Sequence, residues 1–122
     1  MKEDMTKKVS YPYIPLWTTG RIGFRINDAD PGACSAEGLI SSNTWYHVVA
    51  VVSKPHRAIY INGEIAAEDN SAETYIGGTP TFTRIGYRGP ASPSYFKGLI
   101  DEVRIYNRAL SAEEIKELYL HI

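Results

Sequence analysis

The sequence predicts an all-β fold, an antiparallel β-sandwich ending in one short C-terminal helix. Short runs of β-branched and aromatic residues recur between clusters of Gly, Pro, Asn, Asp and Ser. Polar and apolar residues alternate through Arg21-Ile22-Gly23-Phe24-Arg25-Ile26. Helical signals begin only at Ser111.

Residues 1–10 are charged and read as a disordered lead-in, leaving residues 11–122 for the domain. Residues 11–17 are aromatic but interrupted by Pro12 and Pro15, which fits an irregular edge segment. Ile22, Phe24 and Ile26 share one face of a half-buried strand, stopped by Asn27-Asp28-Ala29-Asp30-Pro31-Gly32. Leu39-Ile40 fits a short strand. Residues 45–52 carry aromatic and β-branched side chains on both faces, so a central strand is expected there. Residues 53–57 form the next connection and residues 58–61 the next strand. Asn62-Gly63 then fits a two-residue hairpin turn whose central positions both need positive φ. Residues 64–66 form the returning arm, and residues 68–73 a polar loop. Another strand is expected over residues 82–87, followed by an exposed loop over residues 89–94.

Residues 96–105 read as a strand with a break in parity. Phe96, Gly98 and Ile100 share one face, whereas Val103 and Ile105 fall on the other. An extra residue at Asp101-Glu102, a β-bulge, would restore a common face; burial of both faces is the alternative. Ser111 and Glu114 then form a capping box, with Ile115, Leu118 and Tyr119 on one helical face.

Bulk properties narrow the function. The chain has 122 residues, 43% of them hydrophobic, consistent with one soluble domain. A net charge of −1 supplies no general attraction to nucleic acid or anionic membrane. No apolar window is long enough to span a bilayer, and the N-terminus lacks the apolar stretch of a signal peptide. The single cysteine, Cys34, permits no intrachain disulfide and has no basic neighbour to activate it.

Three blocks, in order, resemble a known family. Trp45-Tyr46-His47-Val48-Val49-Ala50-Val51-Val52, Ile59-Tyr60-Ile61-Asn62-Gly63-Glu64 and the stretch from Phe96-Lys97-Gly98-Leu99-Ile100-Asp101-Glu102-Val103 to Leu118 are similar to laminin-G-like domains. These are jelly rolls of the concanavalin A-like lectin/glucanase superfold. The resemblance runs from about Ile22 to Leu120. It implies an N-terminally truncated domain, since the family's F-D-G signature and T-I-S-x-W strand do not occur here.

The resemblance further implies that Asp101 helps bind a structural calcium ion, a hard cation requiring six to eight oxygens. The alternative is a carboxylate hydrogen-bonded to a turn or paired with a base. Asp28 and Asp30 are further possible calcium ligands, with a polar turn as the alternative. Tyr87, Arg88 and Tyr95 flank the loop of residues 89–94. Their rings and guanidinium suit glycan contact; the alternative is that the rings of Tyr87 and Tyr95 cover the end of the sandwich. His47 is expected to be buried and hydrogen-bonded, His56 and His121 solvated. The glycosidase pattern E-x-D-x-E does not occur in the sequence.

The expected function is therefore a non-catalytic recognition or adhesion module, binding carbohydrate or protein, from a larger secreted or cell-surface protein. An architectural role beside a catalytic domain and a remnant of a glycoside hydrolase are the alternatives. Exposed sheet edges would also allow homo-oligomers.

Overall fold

The computed structural model describes residues 13–25, 30–72, 84–87 and 94–122. The lead-in of residues 1–10 lies outside them. Strands β1 (Gly23–Phe24) and β2 (Ala33–Cys34) form an antiparallel ribbon, pairing Gly23 with Cys34 and Phe24 with Ala33. Single bridges from Tyr13 to Arg25 and from Leu16 to Ile22 lay the proline-interrupted segment along β1. The Pro15 carbonyl accepts from the Gly23 N–H at 3.1 Å. Pro15 itself has no N–H to donate, so this edge remains irregular.

Strands β3 (Val48–Ser53), β4 (His56–Ile61) and β5 (Glu64–Asp69) form an antiparallel sheet in the order β3-β4-β5. Asn62 and Gly63 have φ of 51° and 79°, the left-handed pair expected of a tight hairpin between β4 and β5. Val48 pairs with Ile61, Ala50 with Ile59 and Val52 with Arg57. These six residues therefore share one face. Ile59 and Ile61 on that face pack with Ile22 and Phe24 of the ribbon as the buried core cluster.

The predicted capping box is present at the start of helix α1 (Ala112–Leu120). The Glu114 N–H donates to Ser111 Oγ at 3.1 Å, and the Ser111 N–H to Glu114 Oε1 at 3.1 Å. Arg108 grips the Glu114 carboxylate with two bonds of 2.8 and 2.6 Å, which with the Ser111 N–H holds Glu114 at a pKa of about 2. Ile115 is fully buried. Tyr119 lies over the hairpin turn, where a Cβ on Gly63 would come within 3.2 Å of its ring. Among the described residues no helix is long and apolar enough to cross a membrane.

Several expectations need correction. The strand expected over residues 45–52 begins at Val48 and, among the described residues, lies at the sheet edge. Its valines are accordingly half-buried. Leu39-Ile40 is a bend, because the Ile40 N–H is taken by the Gly20 carbonyl. The loop expected from residue 68 begins later, since β5 extends through Asp69. Ala33 and Cys34, read as loop, form β2. Residues 96–105 have no strand partner among the described residues. Glu102 within them has φ of 53°, so the backbone does break its period at the predicted place. Of the strand expected over residues 82–87, only residues 84–87 are described, and Tyr87 alone bridges.

A charged residue, Arg57, stands in the inward row of β4. Arg57 is fully buried, as is Asp30, and its guanidinium spans two carboxylates. Arg57 Nη1 and Nη2 donate to Asp30, while Nε and Nη2 donate to Asp69 at 2.8 Å each. Burial alone would lower the Arg57 pKa, but these hydrogen bonds outweigh it and raise the value. The same bonds hold Asp69 below the usual carboxylate range.

This packing leads to three stability predictions. Gly63→Ala should cost about 1–2 kcal/mol, from left-handed strain and contact with Tyr119; an unchanged urea midpoint would contradict the docking of α1 on the hairpin. Arg57→Met should cost about 3–5 kcal/mol by stranding buried charge. The folded chain binds fewer protons at Asp69 than the unfolded chain. Its contribution is therefore full above the ordinary carboxylate pKa, about 4, and is lost as pH falls through the depressed folded value. Melting temperature should drop on acidification below about pH 4, and less steeply for Asp69→Asn.

Candidate functional site

Tyr87 and Tyr95, which flank the loop of residues 89–94 in the sequence, lie against each other in the structure. Tyr87 and Tyr95 form an antiparallel bridge, and the Phe96 N–H donates to the Gly86 carbonyl at 2.9 Å. Gly86 has φ of 78°, a left-handed conformation that turns the chain beside the bridge. The bridge sets the two rings side by side, with centroids 4.9 Å apart and planes 22° from parallel. Tyr95 remains 76% exposed.

The Arg84 guanidinium lies 5.9 Å from the Tyr87 ring centre, within cation–π reach. Sequence reasoning missed Arg84, although its spacing of three residues from Tyr87 could have drawn attention to it. Exposed Ile85 and Phe96 add apolar surface to the same region. Arg88, the third residue expected here, lies outside the described residues. Such a surface combines flat apolar faces with a charge-assisted hydrogen-bond donor, a pairing that suits polyhydroxylated ligands.

The acidic residues are dispersed into other tasks. Asp101 is exposed, and its Oδ1 accepts from the Glu102 N–H at 2.8 Å. Asp30 is committed to Arg57 and also accepts from the Gly32 N–H at 2.9 Å. A carboxylate already neutralised by a buried guanidinium is a poor ligand for a hard cation. Asp28 lies outside the described residues. Among the described residues no group of three or more His, Cys, Asp or Glu side chains stands together to hold a metal ion.

Two of the three histidines differ from expectation, His47 and His56. His47 Nδ1 is buried without a hydrogen-bond partner, although the backbone N–H of His47 donates to Asn62 Oδ1 at 2.9 Å. Desolvation, reinforced by the positive charge of Arg104, lowers the His47 pKa. His56 bonds to Glu68 at 2.8 Å, so it is not simply solvated. His121 is exposed, 3.4 Å from Glu117. No nucleophile–base–orienter arrangement is found among these residues.

Comparison with known proteins agrees with the β-rich architecture. The family model of the concanavalin A-like lectin/glucanases superfamily, laminin-G type, matches residues 5–116. That match starts further forward than Ile22, where the sequence resemblance begins. The chain is also similar to the crystal structure of an S-layer domain-containing protein (residues 221–444) from Clostridium thermocellum ATCC 27405. Identity is 28% and the TM-score 0.57, covering 95% of this chain and 59% of that one. No curated protein matches the chain. With the family model spanning most of its length, the chain belongs to the laminin-G-like domains of the concanavalin A-like lectin/glucanase superfamily.

Proposed function

We propose that this chain is a non-catalytic recognition module of a secreted or cell-surface protein, and that it holds carbohydrate on the Tyr87–Tyr95 platform. The observation carrying this reading is the exposed Tyr95 ring braced from one side by Tyr87. A pre-stacked ring loses little freedom on binding and presents an apolar face to the C–H face of a pyranose. Arg84 stands beside the pair, where its N–H groups can donate to sugar hydroxyls.

Membership in a family whose domains are generally binding modules supports the reading, and the S-layer neighbour favours a surface context. Hydrolysis is disfavoured by the missing E-x-D-x-E pattern, because glycoside cleavage needs two carboxylates flanking one bond. A second reading, an architectural module that binds a neighbouring domain, is favoured by the exposed apolar stretch around Leu99 and Ile105.

A glycan array probed with the intact chain tests the proposal. Binding to at least one glycan class is expected, weakened roughly tenfold or more by Tyr95→Ala, with Arg84→Ala also weakening it. Leu39→Ala, at an exposed position outside the platform, should leave binding unchanged. A folded protein that binds no glycan, or binds equally well without Tyr95, would rule the platform out.

A further inference from the structure

We propose that residues 99–106 pair, as an antiparallel two-fold strand, with the same stretch of a second copy of this chain, centred on Val103. Leu99 and Ile105 are 77% and 84% exposed, and Ile100 and Val103 about half. Over this stretch the described residues show no backbone ladder. An open groove of about 790 Å³ runs between residues 102–108 and the C-terminal half of α1, leaving room alongside.

The occupant is identified by self-complementarity. A strict period of two would set Asp101 opposite Ile105 in a pair centred on Val103, mixing charge into an apolar row. The positive φ at Glu102 breaks that period. With one residue absorbed at Asp101-Glu102, Val103 meets its own copy and Ile100 meets Ile105 on both sides. Ile100, Val103 and Ile105 then form one continuous apolar row. The same register places Glu102 opposite Arg104 twice on the other face. Within one chain these two side chains already lie 3.3 Å apart and exposed, so pairing exchanges two intrachain contacts, one per copy, for two interchain ones. Apolar row and charge pairs thus emerge from a single register, as an isologous interface requires.

Sedimentation equilibrium on the full chain is the test. A dimer is expected, with Arg104→Glu raising its dissociation constant roughly tenfold by placing like charges opposite each other twice. The double variant Glu102→Arg/Arg104→Glu should restore the parent value. In a Cys34→Ser background, Val103→Cys should oxidise to a covalent dimer at least about tenfold faster than Ile105→Cys, since only the central residue faces itself. Circular dichroism establishes that each variant is folded. A monomeric parent, Arg104→Glu dimerising as tightly as the parent, or equal cross-linking at residues 103 and 105 would overturn the proposal.

Discussion

The arrangement of this domain depends on a buried guanidinium. Arg57 stands in the inward row of β4, in line with Ile59 and Ile61, where an apolar side chain would normally be found. A charge in that position is tolerable only when fully paired. Its partners come from two distant parts of the chain: Asp30 just before β2, and Asp69 at the end of β5. Asp30 also accepts from the Gly32 N–H, and its carbonyl accepts from Arg25 Nε at 2.6 Å. One ion cluster therefore ties the turn between β1 and β2 to the end of the three-stranded sheet. The apolar cluster beside it has, among the described residues, four buried members, Ile22, Phe24, Ile59 and Ile61, with partly buried side chains such as Val48, Ala50 and Val52 packed against them. Apolar contact is non-directional and attracts the ribbon to the sheet, whereas the forked geometry of the Arg57 bonds selects one orientation.

The rest of the molecule is arranged around this anchored end. The hairpin turn at Asn62-Gly63 projects from the opposite end of β4, and α1 docks there through Tyr119. His47 is enclosed at that junction, its ring 6.1 Å from Tyr119 and its Nδ1 without a partner. Desolvation and the nearby positive charge of Arg104 favour the neutral ring.

What was legible in the sequence was what local chemistry decides. Asn62-Gly63 turns because both residues tolerate positive φ, and Ser111 with Glu114 starts a helix because two side chains satisfy two backbone N–H groups. That Tyr87 and Tyr95 flank one loop was also legible, but the stacking of their rings on each other was not. What could not be read depends on contacts far apart in the chain. Arg57 looked like part of a polar connection, because nothing near it in sequence indicates that Asp30 and Asp69 will converge on it. Strand β2 has only two residues, too few for a periodic signal, and exists because β1 offers it a ladder. Asp30 read as a polar turn residue ahead of a cation ligand, because its partner Arg57 lies 27 residues away in the sequence.

The stretch over residues 96–105 shows why strand-like composition and strand formation are separate properties. Its β-branched and apolar residues favour a pleated surface, but that preference is realised only when a neighbouring ladder accepts the backbone groups. Without one among the described residues, the side chains that would cover a core face solvent. Such an edge would ordinarily invite indiscriminate pairing. Here Lys97, Asp101, Glu102, Arg104 and Arg108 are interspersed among the apolar residues. A mismatched strand would bury or oppose these charges, which penalises most registers far more than the apolar contacts reward them. In the proposed pairing the stretch selects for a partner whose charges alternate in the complementary order, with Glu102 and Arg104 defining the register as much as Val103 and Ile105.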